Sequence, residues 1–204
     1  MTLDICEDSC KYSIKRSATV QTPSGVLRLF VYGTLKQGSW NHRQYCQGVL
    51  SIEKAVAHGR LYEHPAGFPM LFVHKHHIRA LGSTDPIHDV HLQDGLAARL
   101  PKKHTIASRK RSFTNTKRGN GSRRRDGVLV HGEILTFADS VERLSLLDRL
   151  EAFDPSGESL YLRVLIPVTI LPDRYTSAWT YIGIKPKKDW PLIRNGLWPR
   201  DSAR

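Results

Sequence analysis

A mixed α+β domain, built around a largely antiparallel or mixed sheet, is the fold class this sequence predicts. Three patterns predict it. β-branched and aromatic apolar runs recur along the chain as "VLRLFVYG", "GVLVHGEILTF" and "SAWTYIGI". Residues 160–171, "LYLRVLIPVTIL", alternate cleanly. Leu160, Leu162, Val164, Ile166, Val168 and Ile170 take one face, and Tyr161, Arg163, Leu165, Pro167 and Thr169 take the other. The order of elements is strand, helix, several strands, helix, strands, with no internal repeat and without the regular alternation of a doubly wound sheet.

Taken in order, residues 1–24 read as a disordered leader, polar and without periodicity. The domain is expected over 25–184. Residues 26–33 form a buried strand that Gly33 stops. "SWNHRQYCQG", 39–48, reads as a short helix with Ser39 as its cap and Gly48 past its end. Strands follow at 53–65 and 67–73. Residues 74–126 then lose apolar repetition, and a structureless stretch of that length is unusual inside a compact domain. It reads as a flexible, His-rich and basic insertion with a short helix near 90–100. Order returns with a strand at 127–137 and a helix at 139–153, where Asp139 and Glu142 have the spacing of a capping box. Pro167 marks an edge or a bulge in the strand at 160–171. The last strand is expected at 177–184, and 185–204 as a loosely packed C-terminal tail.

The 204 residues suffice for one domain with a core plus tails or an insertion. No apolar run approaches the ~20 residues of a membrane span. The first 25 residues contain no apolar signal core, so a cytoplasmic chain without membrane contact is the expectation. Cys6, Cys10 and Cys46 are too few, and odd in number, for a disulfide framework. The net charge of +12 is concentrated. Between Arg99 and Arg125 there are eleven Lys and Arg and no acid, which leaves +1 for the rest of the chain. Any contact with nucleic acid or another polyanion therefore falls to Arg99–Arg125, whose only aromatic residue is Phe113.

Several candidates for chemistry can be weighed on residue type and spacing. "GTLKQG", Gly33 to Gly38, has the glycine spacing of a phosphate loop but is followed by Ser39 and Trp40, so the lysine that meets phosphates is missing. A strand-to-helix turn can still offer backbone N–H groups to an anion such as a carboxylate, or it can be a turn that needs glycine for its φ. On the helix at 139–153, Leu144 and Leu147 mark the buried side, and Glu151 falls within about 40° of it. A carboxylate there is either structural, paired for example with Arg163, or catalytic, since burial raises a carboxyl pKa into a useful range. Glu133 and Glu158 are weaker candidates. His74 and His76 would share a strand face, but no third ligand has a fixed spacing, so a metal site is not expected. There is no Gly-x-Ser-x-Gly elbow, and Cys46 has no evident partner as a nucleophile.

"FVYGTLKQGSWNH", "GRLYEHPAGFPML" and "VHGEILTF…LLDRLEAF…LYLRVLIPV", taken in that order, resemble the gamma-glutamylcyclotransferase-like family. The branch most resembled is that of gamma-glutamylamine cyclotransferase. The resemblance covers roughly residues 28–73 and 127–184. It implies a small mixed barrel-like domain with Glu151 as catalytic acid/base. It implies Tyr32, Gly33, Thr34 and Leu35 as the loop holding the glutamyl group, with Tyr161 lining the same pocket. The implied reaction needs no cofactor and no metal. A γ-glutamyl amine or peptide closes on its own α-amine, releasing 5-oxoproline. The rival expectation is a catalytically idle domain that binds nucleic acid or another polyanion through 99–125. One departure stands out: "LEAF" puts Ala152 where many relatives have glycine.

Overall fold

The computed structural model describes residues 25–99, 128–157 and 159–199. Their order is β1 (Leu27–Val31), α1 (Trp40–Tyr45), β2 (Ser51–Glu63), β3 (Pro69–Phe72), a 3-10 turn (Lys75–His77), β4 (Ala80–Leu81), α2 (Pro86–Ala97), β5 (Val128–Phe137), α3 (Ser140–Leu150), β6 (Tyr161–Ile170), β7 (Arg174–Gly183) and β8 (Leu192–Ile193). The leader at 1–24 and the basic run beyond Arg99 lie outside the described residues.

Five strands close into a barrel in the order β2-β5-β1-β7-β6, and β6 returns to β2 through Ala55↔Ile170 and Val56↔Thr169. The barrel is mixed: β1 runs parallel to β7 at Leu29↔Trp179, and every other pairing is antiparallel. β2 is longer than the barrel needs. Its end leaves the wall and carries β3 and β8, with Leu61 opposite both Leu71 and Ile193. β4 adds to the outer side of β6 at Leu165 and Val164.

The period of two along each strand sorts side chains into two apolar layers. Phe30, Ile134, Val164, Ile166, Ala178 and Ile182 fill the barrel. Leu29, Leu135, Leu165 and Trp179 face outward and pack with Leu144 and Leu147 of α3. The alternation expected for β6 is therefore present as two buried faces. Pro167 pairs with Ser177 and lies between the stretches where β6 also meets β4 and β2, so its missing N–H interrupts no ladder bond there.

Four expectations are corrected. Residues 74–99 are built into the domain. In α2, Asp85 caps the N-terminus by accepting from Ile87 N and His88 N (3.0 Å each), and Pro86 occupies the first turn. The buried face of α2 holds Asp89, Val90 and Gln93, which is why no apolar period announces it. Gln93 then serves the edge of β1, accepting from Arg28 N and donating to Val26 O, both at 2.9 Å. Asp139 does not form a capping box, because its carboxylate pairs with Arg143 at 2.8 Å. His74 and His76 flank and enter the 3-10 turn instead of sharing a strand face. Residues 185–199 pack firmly: Trp190, Ile193 and Trp198 are buried, and β8 joins β2. Among the described residues, no helix is long and apolar enough to cross a membrane.

Candidate active site

β1 ends at the barrel rim, and the chain turns at once toward α1. Lys36 N donates to Gly33 O and Ser39 N to Lys36 O, both at 3.0 Å. The turn is fastened from three sides. Asn41 Nδ2 donates to Thr34 Oγ1 (3.0 Å), and His42 Nδ1 donates to Leu35 O (2.8 Å). Gln37 N donates to Glu133 Oε2 (2.8 Å), and Lys36 Nζ donates to Trp198 O. Among the described residues, the N–H groups of Gly33, Thr34 and Leu35 have no acceptor. Gly33 is not needed for a positive φ; that role falls to Gly38 (φ 85°). Gly33 is needed for closeness, since a Cβ there would stand 2.9 Å from Pro69 Cγ.

Glu151 is the C-cap of α3. Phe153 N bonds back to Asp148 O (2.9 Å) and Ala152 N to Arg149 O (3.4 Å), with Ala152 at φ 49°. This is a Schellman ending with alanine in the left-handed position that glycine favours. It turns the chain sharply and leaves Glu151 facing a cavity of about 310 Å³. The same cavity is lined by Tyr32, Gly33, Thr34, Leu35 and Tyr161, so all six residues singled out from the sequence meet at one place.

Glu151 has no salt bridge and accepts no hydrogen bond among the described residues. The pairing with Arg163, one of the two readings the sequence left open, is absent. Arg163 points from the outer face of β6 to Asp148 of α3 and Asp89 of α2, and the rings of Phe153 and Trp179 cover its guanidinium. Burial without a compensating cation raises the Glu151 carboxyl to about 7. The negative end of the α3 dipole acts in the same direction. Tyr32 and Tyr161 are both held above the ordinary phenol range, first by burial, so both remain neutral hydroxyls beside Glu151. Tyr32 Oη donates to Tyr181 O (2.8 Å), whereas the Tyr161 hydroxyl has no partner among the described residues.

Sequence reasoning missed much of the wall: Trp40, Phe68, Pro69, Thr180 and Tyr181. Only Tyr181 had a usable signal, as an aromatic residue in a strand, and nothing local tied it to Glu151. Other candidates fall away from the cavity. Cys46 is buried and its thiol is pushed up to about 11, first by burial, so it is not an ionised nucleophile near neutral pH. Glu133 serves the turn as an acceptor. No group of three or more His, Cys, Asp or Glu among the described residues is placed to hold a metal ion.

Comparison with known proteins bears on this geometry. The model of the family described as gamma-glutamyl cyclotransferase, AIG2-like, matches residues 29–94 and 88–200, and the chain belongs to that family. No curated protein sequence matches it. Among solved structures, YkqA from Bacillus subtilis is 18% identical over 85% of this chain, with a TM-score of 0.46, and this chain spans 39% of its length. An AIG2-like protein from Mus musculus is 19% identical over 81% of this chain and 82% of its own, with a TM-score of 0.44. An uncharacterised protein from Pyrococcus horikoshii is 14% identical over 84% of this chain and 88% of its own, with a TM-score of 0.41.

Proposed function

We propose that this member of the family releases 5-oxoproline from a γ-glutamyl amine or γ-glutamyl peptide, with Glu151 as general acid/base. The observation that carries the reading is the unpaired carboxyl of Glu151, raised to about 7, facing a cavity that is also lined by a turn with free N–H groups.

The chemistry follows from those groups. A substrate α-amine has a reference pKa of about 7.7–8.0, close enough to Glu151 for proton exchange near neutral pH. Glu151 accepts a proton from the α-amine, whose nitrogen attacks the γ-carbonyl carbon and closes a five-membered ring. Negative charge develops on the carbonyl oxygen, and the N–H groups of the 33–35 turn are suited to meet it or the α-carboxylate. The ring carbonyl re-forms as the original C–N bond breaks, and Glu151 returns the proton to the leaving nitrogen. No water is consumed and no covalent enzyme intermediate forms. The attack is intramolecular, so holding the extended glutamyl chain in a folded pose supplies much of the acceleration.

The test is to incubate the purified protein with γ-glutamyl amines, γ-glutamyl dipeptides and glutathione and to detect 5-oxoproline by mass spectrometry, with Glu151→Gln alongside. Product from the wild type alone supports the reading and names the leaving group. Equal turnover by Glu151→Gln overturns the mechanism, and no product from any substrate with folded protein overturns the activity.

A further inference from the structure

Thr180 lies in the middle of β7, opposite Val164 of β6. Its neighbours separate by parity: Trp179 and Tyr181 belong to the outer apolar layer, Ala178 and Ile182 to the barrel interior. Thr180 therefore faces inward, among Phe30, Val164 and Ile166. It is 0% exposed, and its Oγ1 has no hydrogen-bond partner among the described residues. The same residue lines the cavity that Glu151 faces.

Packing does not explain a hydroxyl at this position. Valine has the same shape and would suit an apolar lumen, whereas a buried hydroxyl without a partner is costly. The other inward hydroxyl on this wall is already used, since Tyr32 Oη donates to Tyr181 O. A threonine hydroxyl both donates and accepts, so it can meet a carboxylate oxygen or an amine nitrogen.

We propose that Thr180 is a substrate-contacting residue whose hydroxyl takes a polar atom of the amino-acid head of the γ-glutamyl group at the inner end of the cavity. The assignment rests on the cyclotransferase reading for the identity of the ligand, but not for the existence of the contact. It makes Thr180 a specificity determinant: a ligand whose inner end is apolar leaves the hydroxyl unpaired and binds less well.

The test compares wild type, Thr180→Val and Thr180→Ser by calorimetric titration with 5-oxoproline and with free amino acids that lack a γ-glutamyl group, alongside thermal melting of the free proteins. The expected result is that Thr180→Val weakens 5-oxoproline binding about tenfold while Thr180→Ser stays within about threefold of wild type. Thr180→Val should also raise the melting temperature of the free protein by about 2–4 °C. Equal 5-oxoproline affinity in wild type and Thr180→Val overturns the contact and leaves the cyclotransferase reading standing. Thr180-dependent binding of an ordinary amino acid, with none of 5-oxoproline, keeps the contact and overturns that reading. Binding of neither class overturns the contact, and a lowered melting temperature in Thr180→Val assigns the hydroxyl a structural role instead.

Discussion

Asp148 and Glu151 stand three residues apart near the end of α3, and their surroundings differ in one respect. Asp148 meets a guanidinium and a phenol: Arg163 pairs with its Oδ2, and Tyr181 Oη donates to its Oδ1 at 2.8 Å. Glu151 meets neither. Burial raises both carboxyls, but Arg163 and Tyr181 pull Asp148 back, and nothing does so for Glu151. One helix thus carries an acid held by a cation and a phenol and an acid with neither. The difference comes from the location of Arg163. With Asp89 and Asp148 on either side, that side chain ties α2 and α3 to β6 through its two terminal nitrogens, and Glu151 is not among its partners. Ser83 completes the group, its O accepting from Arg163 (2.9 Å) and its Oγ donating to Asp89 (3.0 Å).

The contrast can be broken at either acid. Glu151→Gln should lower 5-oxoproline formation by about 10²–10⁴-fold with an unchanged circular dichroism spectrum, as expected of an acid whose work is chemical. Arg163→Leu should do the reverse. It leaves Asp89 and Asp148 buried without a cation, and should cost about 3–5 kcal/mol of stability in chemical denaturation. A small loss from Arg163→Leu, or unfolding of Glu151→Gln, would exchange the roles assigned to the two regions.

pH sharpens the comparison. If Glu151 acts first as a base, kcat/KM should rise with pH through about 7, where its carboxyl ionises. Its effect on stability runs the other way. The fold favours the protonated form, so the contribution is present below an unfolded pKa near 4.5 and is lost as pH rises through about 7. The loss is at most about 3 kcal/mol. Glu151→Gln should match wild type in stability near pH 4.5 and exceed it at pH 8, and denaturation curves at both values check this. The smallest expected effect is at the next residue. Ala152→Gly relieves the left-handed strain at φ 49° and should stabilise by about 0.5–1 kcal/mol. Its activity should stay close to wild type if Glu151 keeps its place.

The local patterns in the sequence were legible where burial repeats. The period of two in β6 and the Leu144–Leu147 face of α3 located a strand, a helix and the inward side of Glu151. Resemblance to a family, and not periodicity, supplied the barrel and the other site residues. What repeats of apolar residues could not show was any element held by polar burial. α2 hides Asp89 and Gln93, so it read only as a short helix near 90–100 within a flexible insertion, and the segment after Lys185 anchors itself through isolated tryptophans, so it read as a tail.

By itself, then, the sequence determined the two alternating faces of β6 and the apolar side of α3, because side-chain direction follows backbone geometry within a few residues. Only the tertiary structure decided which groups meet. Closure of β6 on β2, the pairing of Arg163 with Asp89 across 74 positions, and the isolation of Glu151 at a cavity wall all depend on contacts far apart in the chain. Whether a buried charge has a partner is settled by the other side of the interface, and local composition carries no record of it.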